Sequence, residues 1–248
     1  DGDGWVLNGR KWFTTGADGA AFCIVMAVTD PQAPPHGRTS LFIVPTDAPG
    51  YRLLRNTPVM GDEGHDLFSH GEVELADCRV PADQLLGPRG EGFRLAQSRL
   101  GPGRIHHCMR WLGICERAHE LMVARAAARV IGPDDRRLGD SDIVRAWIAE
   151  CAAEIRAARL LVLYAAWRIG QAGAKAARDD IAMIKYHVAG VLQKVVDRAL
   201  QVHGGLGVTD YTLLAWFFRE ERAARIYDGP DEVHKIAVAK HLLKGRDG

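Results

Sequence analysis

Leu85-Leu86-Gly87-Pro88-Arg89-Gly90-Glu91-Gly92-Phe93 is where the chain changes character. Before it, apolar residues come in short runs broken by Asn, Asp, Gly and Pro. Trp5-Val6-Leu7 and Lys11-Trp12-Phe13-Thr14-Thr15 flank Asn8-Gly9, the strongest short signal for a hairpin. Phe22–Val28 and Ser40–Val44 read as buried strands, stopped by Asp30-Pro31 and Pro45. Glu72-Val73-Glu74-Leu75 alternates, Cys78-Arg79-Val80-Pro81 closes the region, and the stretch from Pro31 to Gly37 reads as a surface loop. After the break the period becomes three and four. Ile105, Cys108, Leu112, Cys115, His119 and Met122 share one stripe, with Gly101-Pro102-Gly103 expected to break or kink the segment just upstream. Val144 to Val162 and Ile181 to Ala199 repeat the pattern, and two shorter helices are expected over 211–222 and 230–243. The class is therefore α+β: a small antiparallel sheet or barrel domain over 1–88, then an up-down helix bundle over 89–248.

Composition narrows the function classes. At 248 residues the chain can bury a real core without disulfide staples. Lys and Arg (32) nearly cancel Asp and Glu (31), so no global field steers it to nucleic acid or an anionic membrane. The five cysteines are scattered with no CxxC pair, which fits core packing in a reducing cytoplasm. Neither a long apolar run nor a signal-peptide pattern occurs. The chain begins with Asp1 rather than Met and opens directly into a turn-and-strand pattern, as expected of a fragment or processed product.

Three stretches compete for the chemistry. In Tyr227-Asp228-Gly229-Pro230-Asp231-Glu232-Val233-His234 a carboxylate precedes a helix, with Pro230 suited to the first helical position and acids in the first turn. Asp228 reads either as an N-cap or as a general base held against apolar Ile226, Tyr227, Val233 and Ile236. His203-Gly204-Gly205-Leu206-Gly207 follows a helix rather than a strand, so it reads as a helix stop more than a phosphate cradle. His106-His107-Cys108 does not converge on a metal, because neighbours on a helix point about 100° apart. Alternation along Trp12-Phe13-Thr14 places Trp12 and Thr14 on one face, an aromatic beside a hydroxyl that suits a planar polar ring.

Together these residues resemble the acyl-CoA dehydrogenase family of flavoproteins. Asn8 to Gly16 is similar to that family's "NGxKxWITNG" strand, and Val80-Pro81 with Leu85 to Phe93 to its passage into the first bundle helix. Gln201 to Gly207 is similar to its "QxxGGxG" and Ile226 to His234 to its "IYEGTxEI", all in order over nearly the whole chain. The resemblance implies an FAD-dependent α,β-dehydrogenation of an acyl-CoA thioester with Asp228 as the base. It implies that Trp12, Phe13 and Thr14 line the flavin, that Gln201, Gly204 and Gly205 meet the FAD of a neighbouring subunit, and that Arg129 contacts the pyrophosphate. Leu100, Arg104, Tyr227 and Gly229 would lie along the acyl-CoA, with the backbone N–H of Asp228 on the thioester oxygen. An electron-transfer flavoprotein as acceptor and a homodimer or homotetramer are further implications.

The match has departures. Asp228 replaces the longer Glu of most members, a form similar to a branch of long multi-domain acyl-CoA dehydrogenases. Pro230 and Glu232 replace the usual Thr and Gln. Arg129-Val130-Ile131-Gly132 lacks the Phe of the "RxxFG" segment, and Pro133-Asp134-Asp135 looks inserted. The family's N-terminal helical domain and first flavin-binding strand have no counterpart in this chain. The base is expected to rise from its usual value of about 3.9 toward neutrality when substrate expels water. Two alternatives remain at this point: a nitroalkane-oxidase-like flavin oxidase of the same fold, and a non-catalytic oligomerisation fragment.

Overall fold

The computed structural model describes residues 2–244. The chain divides into two compact units, one running to Arg99 and the other starting at Leu100.

The first unit holds β1 (Gly4–Thr15), β2 (Phe22–Val28), β3 (Thr39–Pro45), β4 (Tyr51–Asn56), β5 (His70–Pro81) and β6 (Leu85–Leu86). They form two three-stranded antiparallel sheets, ordered β1-β5-β4 and β2-β3-β6. Leu7, Val25, Phe42, Val44, Val73, Leu75, Cys78 and Val80 form their core. Asn8-Gly9 is not a hairpin turn. β1 runs straight through it and slips one place against β5. Asn8 explains why, since its Oδ1 accepts from the Asp77 N–H at 2.8 Å and its Nδ2 donates to the Asp77 carboxylate at 3.1 Å. Asp77 is left-handed, and the buried face of β5 changes phase there, from Val73 and Leu75 to Cys78 and Val80. Glu72–Leu75 and Cys78–Pro81 are thus one bulged strand.

The second unit is helical: α1 (Gly92–Ala128, its first turns in the first unit), α2 (Asp142–Ala176), α3 (Arg178–His203), α4 (Leu213–Glu220) and α5 (Asp231–Lys244). Cys108, Trp111, Leu112, Cys115 and Met122 of α1 pack with Cys151, Ile155 and Val162 of α2 and Ile184, Val188, Leu192 and Val195 of α3. The three-and-four spacing of the sequence maps onto this core. Pro102, by contrast, does not end α1, which is helical throughout. Gly101 before it has no Cβ to clash with the pyrrolidine ring. α3 stops at Gly204, left-handed at φ 61°, as its glycines require. All five cysteines are free and buried. Among the described residues no helix is long and apolar enough to cross a membrane.

Candidate active site

Asp228 sits on a strained turn. Its φ is 53° and that of Gly229 is 97°, so two left-handed residues precede α5. Gly229 is required twice over, because a Cβ there would also lie 2.9 Å from Nε2 of His234. Donors on three helices hold the turn. The Asp228 carbonyl accepts from Arg104 Nη2 of α1 at 3.0 Å and from His234 Nε2 of α5 at 3.1 Å. The Gly229 carbonyl accepts from Lys185 Nζ of α3 at 2.7 Å. Lys185 is fully buried, lies 3.8 Å from the Asp231 carboxylate, and has its pKa lowered by burial. Asp231 is also held by Arg225 Nε at 2.7 Å.

The Asp228 side chain does not cap α5. It turns to α1, where Oδ2 is 3.1 Å from Nε2 of His107. Its neighbours are not the apolar ones expected of a raised acid. Ile226, Val233 and Ile236 are exposed, and the inward face of α5 carries Asp231, His234 and Val238. Its pKa is correspondingly lowered, first by the hydrogen bond with His107, then by the charges of His107, Arg104 and Lys185, against the opposing effect of burial. The expected rise toward neutrality is therefore not a property of the free chain; these cations oppose it.

Tyr227 is fixed separately. Its hydroxyl accepts from Arg110 Nη2 at 2.9 Å and Trp111 Nε1 at 3.1 Å, and Arg110 also bonds buried Glu221 at 2.8 Å. Burial pushes the phenol up to about 12 and raises the Glu221 carboxyl, which Arg110 partly offsets. The Trp111 indole is fully buried, so Tyr227→Phe strands its N–H. That substitution is expected to destabilise the unit by about 1–3 kcal/mol, measured by urea titration. A loss under about 0.5 kcal/mol would mean that the hydroxyl is dispensable.

Of the residues singled out in the sequence, the structure brings together Arg104, Tyr227, Asp228 and Gly229. Leu100 lies one turn before Arg104 on α1, half-buried. Arg129, Gln201, Gly204 and Gly205 are exposed and share no bond with that group among the described residues. The apparent insertion after Arg129 is a tight hairpin turn: Asp134 and Asp135 are both left-handed and the Arg136 N–H reaches the Pro133 carbonyl at 3.3 Å. Gly204 and Gly205 have open space where a Cβ would stand, whereas Gly207 is crowded at 2.5 Å by the Leu200 carbonyl. The first two leave backbone free for a ligand, and the third serves the fold.

In the first unit Trp12 and Phe13 are 67% and 50% exposed, and Trp12 Nε1 donates to Thr57 Oγ1 at 3.0 Å. Phe13 is left-handed, with a register slip between Lys11 and Thr14, so alternation does not carry across it. The same-face argument for Trp12 and Thr14 fails for that reason.

His107 and Lys185 were not among the expected site residues, though spacing held a signal for each. Arg104, His107 and Trp111 recur at three and four on α1, and Lys185 stands on the apolar stripe with Ile181 and Val188.

Residues 90–243 match the acyl-CoA dehydrogenase C-terminal domain and residues 1–78 its middle domain. FadE2 of Mycobacterium tuberculosis, named a probable acyl-CoA dehydrogenase, is 49% identical over 98% of the chain and 59% of its own length. Acyl-CoA dehydrogenase family member 10 of Mus musculus is 46% identical over 98% of the chain and 22% of its own length. A solved structure from Mycobacterium abscessus described as an acyl-CoA dehydrogenase superposes with TM-score 0.93 at 39% identity, over 99% of this chain and 60% of that one. The chain thus spans well under two thirds of the relatives it matches.

Proposed function

We propose that this chain, which belongs to the acyl-CoA dehydrogenase family of flavin-dependent oxidoreductases, carries the base of an acyl-CoA dehydrogenase. In this reading Asp228 takes the α-proton of an acyl-CoA thioester. The observation that carries it is the Asp228 turn itself: a half-buried carboxylate on left-handed backbone, held by donors from three helices. Strain of this kind, of order 1–3 kcal/mol, persists where the surroundings impose it, and it clusters at reactive sites.

The substrate end has a donor ready. The N–H groups of Ile226 and Tyr227 bond the Ala223 carbonyl, while the N–H of Asp228 has no acceptor among the described residues. We assign it to the thioester oxygen, where it would favour charge developing next to the α-carbon. Arg104 and Tyr227 keep that N–H and the carboxylate in fixed relation, and Leu100 adds apolar surface along the acyl chain. FAD, when bound, supplies the acceptor for the β-hydrogen. Trp12, Phe13 and Thr14 are the residues assigned to its ring, and Gln201, Gly204, Gly205 and Arg129 to its other parts across a homodimer or homotetramer. An electron-transfer flavoprotein is the assigned reoxidant.

Anaerobic mixing of the full-length flavoprotein with a panel of acyl-CoA thioesters tests the reading. At least one thioester is expected to bleach the flavin absorbance within seconds. Bleaching by none of them would end the dehydrogenase assignment. Stoichiometric peroxide on readmitting air, with nitroalkanes as the better reductants, would move the protein to the oxidase alternative. Purification without any flavin would favour the oligomerisation module.

A further inference from the structure

We propose that His107 is a positioning residue for the Asp228 base, anchoring carboxylate Oδ2 so that Oδ1 alone faces the substrate proton; this rests on the base reading above. Three observations meet here. Nε2 of His107 is 3.1 Å from Oδ2, while Oδ1 has no hydrogen-bond partner among the described residues. A carboxylate offers about four lone-pair sites, so one donor on Oδ2 leaves Oδ1 able to form the new O–H bond. The imidazole is itself held: its ring lies 5.9 Å from Trp111, nearly parallel, and 5.4 Å from Tyr227. Trp111 is fully buried and Tyr227 is bonded to Arg110 and Trp111, so the ring packs against fixed neighbours.

The one-methylene difference between Asp and Glu gives this contact its purpose. A shorter acid cannot search for the α-carbon by rotating a long side chain; it must be aimed. On a left-handed residue the backbone fixes the Cα–Cβ direction, and His107 fixes the remaining torsions. The same contact is the first of the causes that lower the carboxyl's pKa. The other cations nearby bond backbone oxygens: Arg104 and His234 donate to the Asp228 carbonyl, and Lys185 to the Gly229 carbonyl beside Asp231. Glu221 is neutralised by Arg110, and Tyr227 is an acceptor for Arg110 and Trp111. Among the described residues His107 is the one side chain paired with the Asp228 carboxylate oxygens.

The test is the pH profile of the flavin-reduction rate in the full-length flavoprotein. It uses whichever panel thioester reduces the wild type fastest, with His107→Phe, His107→Gln and Asp228→Asn side by side. His107→Phe removes the contact on Oδ2, so the carboxylate protonates at higher pH. The rate at the acid end is expected to fall about tenfold or more relative to wild type, with a smaller loss at the alkaline plateau. His107→Gln keeps a neutral donor of similar reach and is expected to stay within about threefold at the plateau while still losing rate in acid. Superimposable wild-type and His107→Phe profiles would overturn the proposal. So would an equal loss at every pH in both variants, since a purely structural role shifts no limb. If His107→Phe does not fold, the acid limb of His107→Gln decides alone. Wild-type rates in Asp228→Asn would sink the base reading instead, which keeps the two failures apart.

Discussion

Asp228→Asn leaves FAD bound to the full-length protein and slows its reduction by acyl-CoA by about 10²–10⁴, the usual contribution of a positioned general base. The substitution isolates the proton. Asn tolerates left-handed backbone nearly as well as Asp does, so φ 53° at this position is not a new strain. Its amide oxygen still accepts from His107 Nε2, and the carbonyl held by Arg104 and His234 is unchanged. The turn keeps its backbone bonds and loses a basic oxygen together with its negative charge, which Arg104 and Lys185 both face. Asp228→Ala is the poorer test, because it abandons the His107 contact and puts an ordinary residue in the left-handed region, at a cost of about 1–2 kcal/mol. Flavin content and thioester affinity in the Asn variant are expected to match wild type, with a small drop in melting temperature from the lost charge and the large loss confined to the reduction step. A rate within tenfold of wild type would reduce Asp228 to a turn residue. A Gly229→Ala protein should reproduce the loss by another route, since its Cβ displaces His234 and frees the carbonyl that aims the acid.

How much of this was legible in the sequence depends on the range of the interaction. Periodicity placed the bundle core well, because burial stripes are local: Cys108, Leu112, Cys115 and Met122 lie on the buried face as spaced. The glycines at 204 and 205 ended α3 for a local reason too. Asn8-Gly9 misled because the partner that converts it from a turn into a bulge is Asp77, 69 residues away. Pro102 does not break α1, and the residue before it is Gly. At the site, Asp228 could be singled out, but its environment could not. The apolar residues flanking it in sequence, Ile226, Val233 and Ile236, point outward. The residues that surround it come from α1 and α3, over 40 positions away, and three of them are cations or imidazoles. Sequence neighbours suggested apolar surroundings for the acid, whereas its tertiary neighbours are polar and lower its pKa in the free chain.

Lys185 is the reason the turn can be held from beneath, and Asp231→Ala exposes what that costs. Lys185 Nζ is fully buried, with the Gly229 carbonyl at 2.7 Å and the Asp231 carboxylate at 3.8 Å. Removing the carboxylate leaves an enclosed cation without its nearest counter-charge, and such losses run to about 3–5 kcal/mol. Arg225, partly exposed, can swing to water and adds little. The sign with pH follows from the lysine. Burial already lowers its pKa in the folded state, and loss of Asp231 lowers it further. The folded variant therefore resists protonation that the unfolded chain accepts, so its deficit is full below the lowered folded pKa and shrinks as pH rises from there toward the unfolded lysine value of about 10.4. Lys185→Met combined with Asp231→Ala should recover most of the stability at neutral pH, because both charges leave together. Urea midpoints of the two proteins decide it, and equal losses in single and double variants would show that Asp231 acts only through α5. The double variant also separates stability from aim. It folds, but the Gly229 carbonyl has lost its anchor, so thioester-driven flavin reduction stays slow. A buried ion pair that a hydrophobic replacement can match in stability but not in rate is there to hold the acid in place.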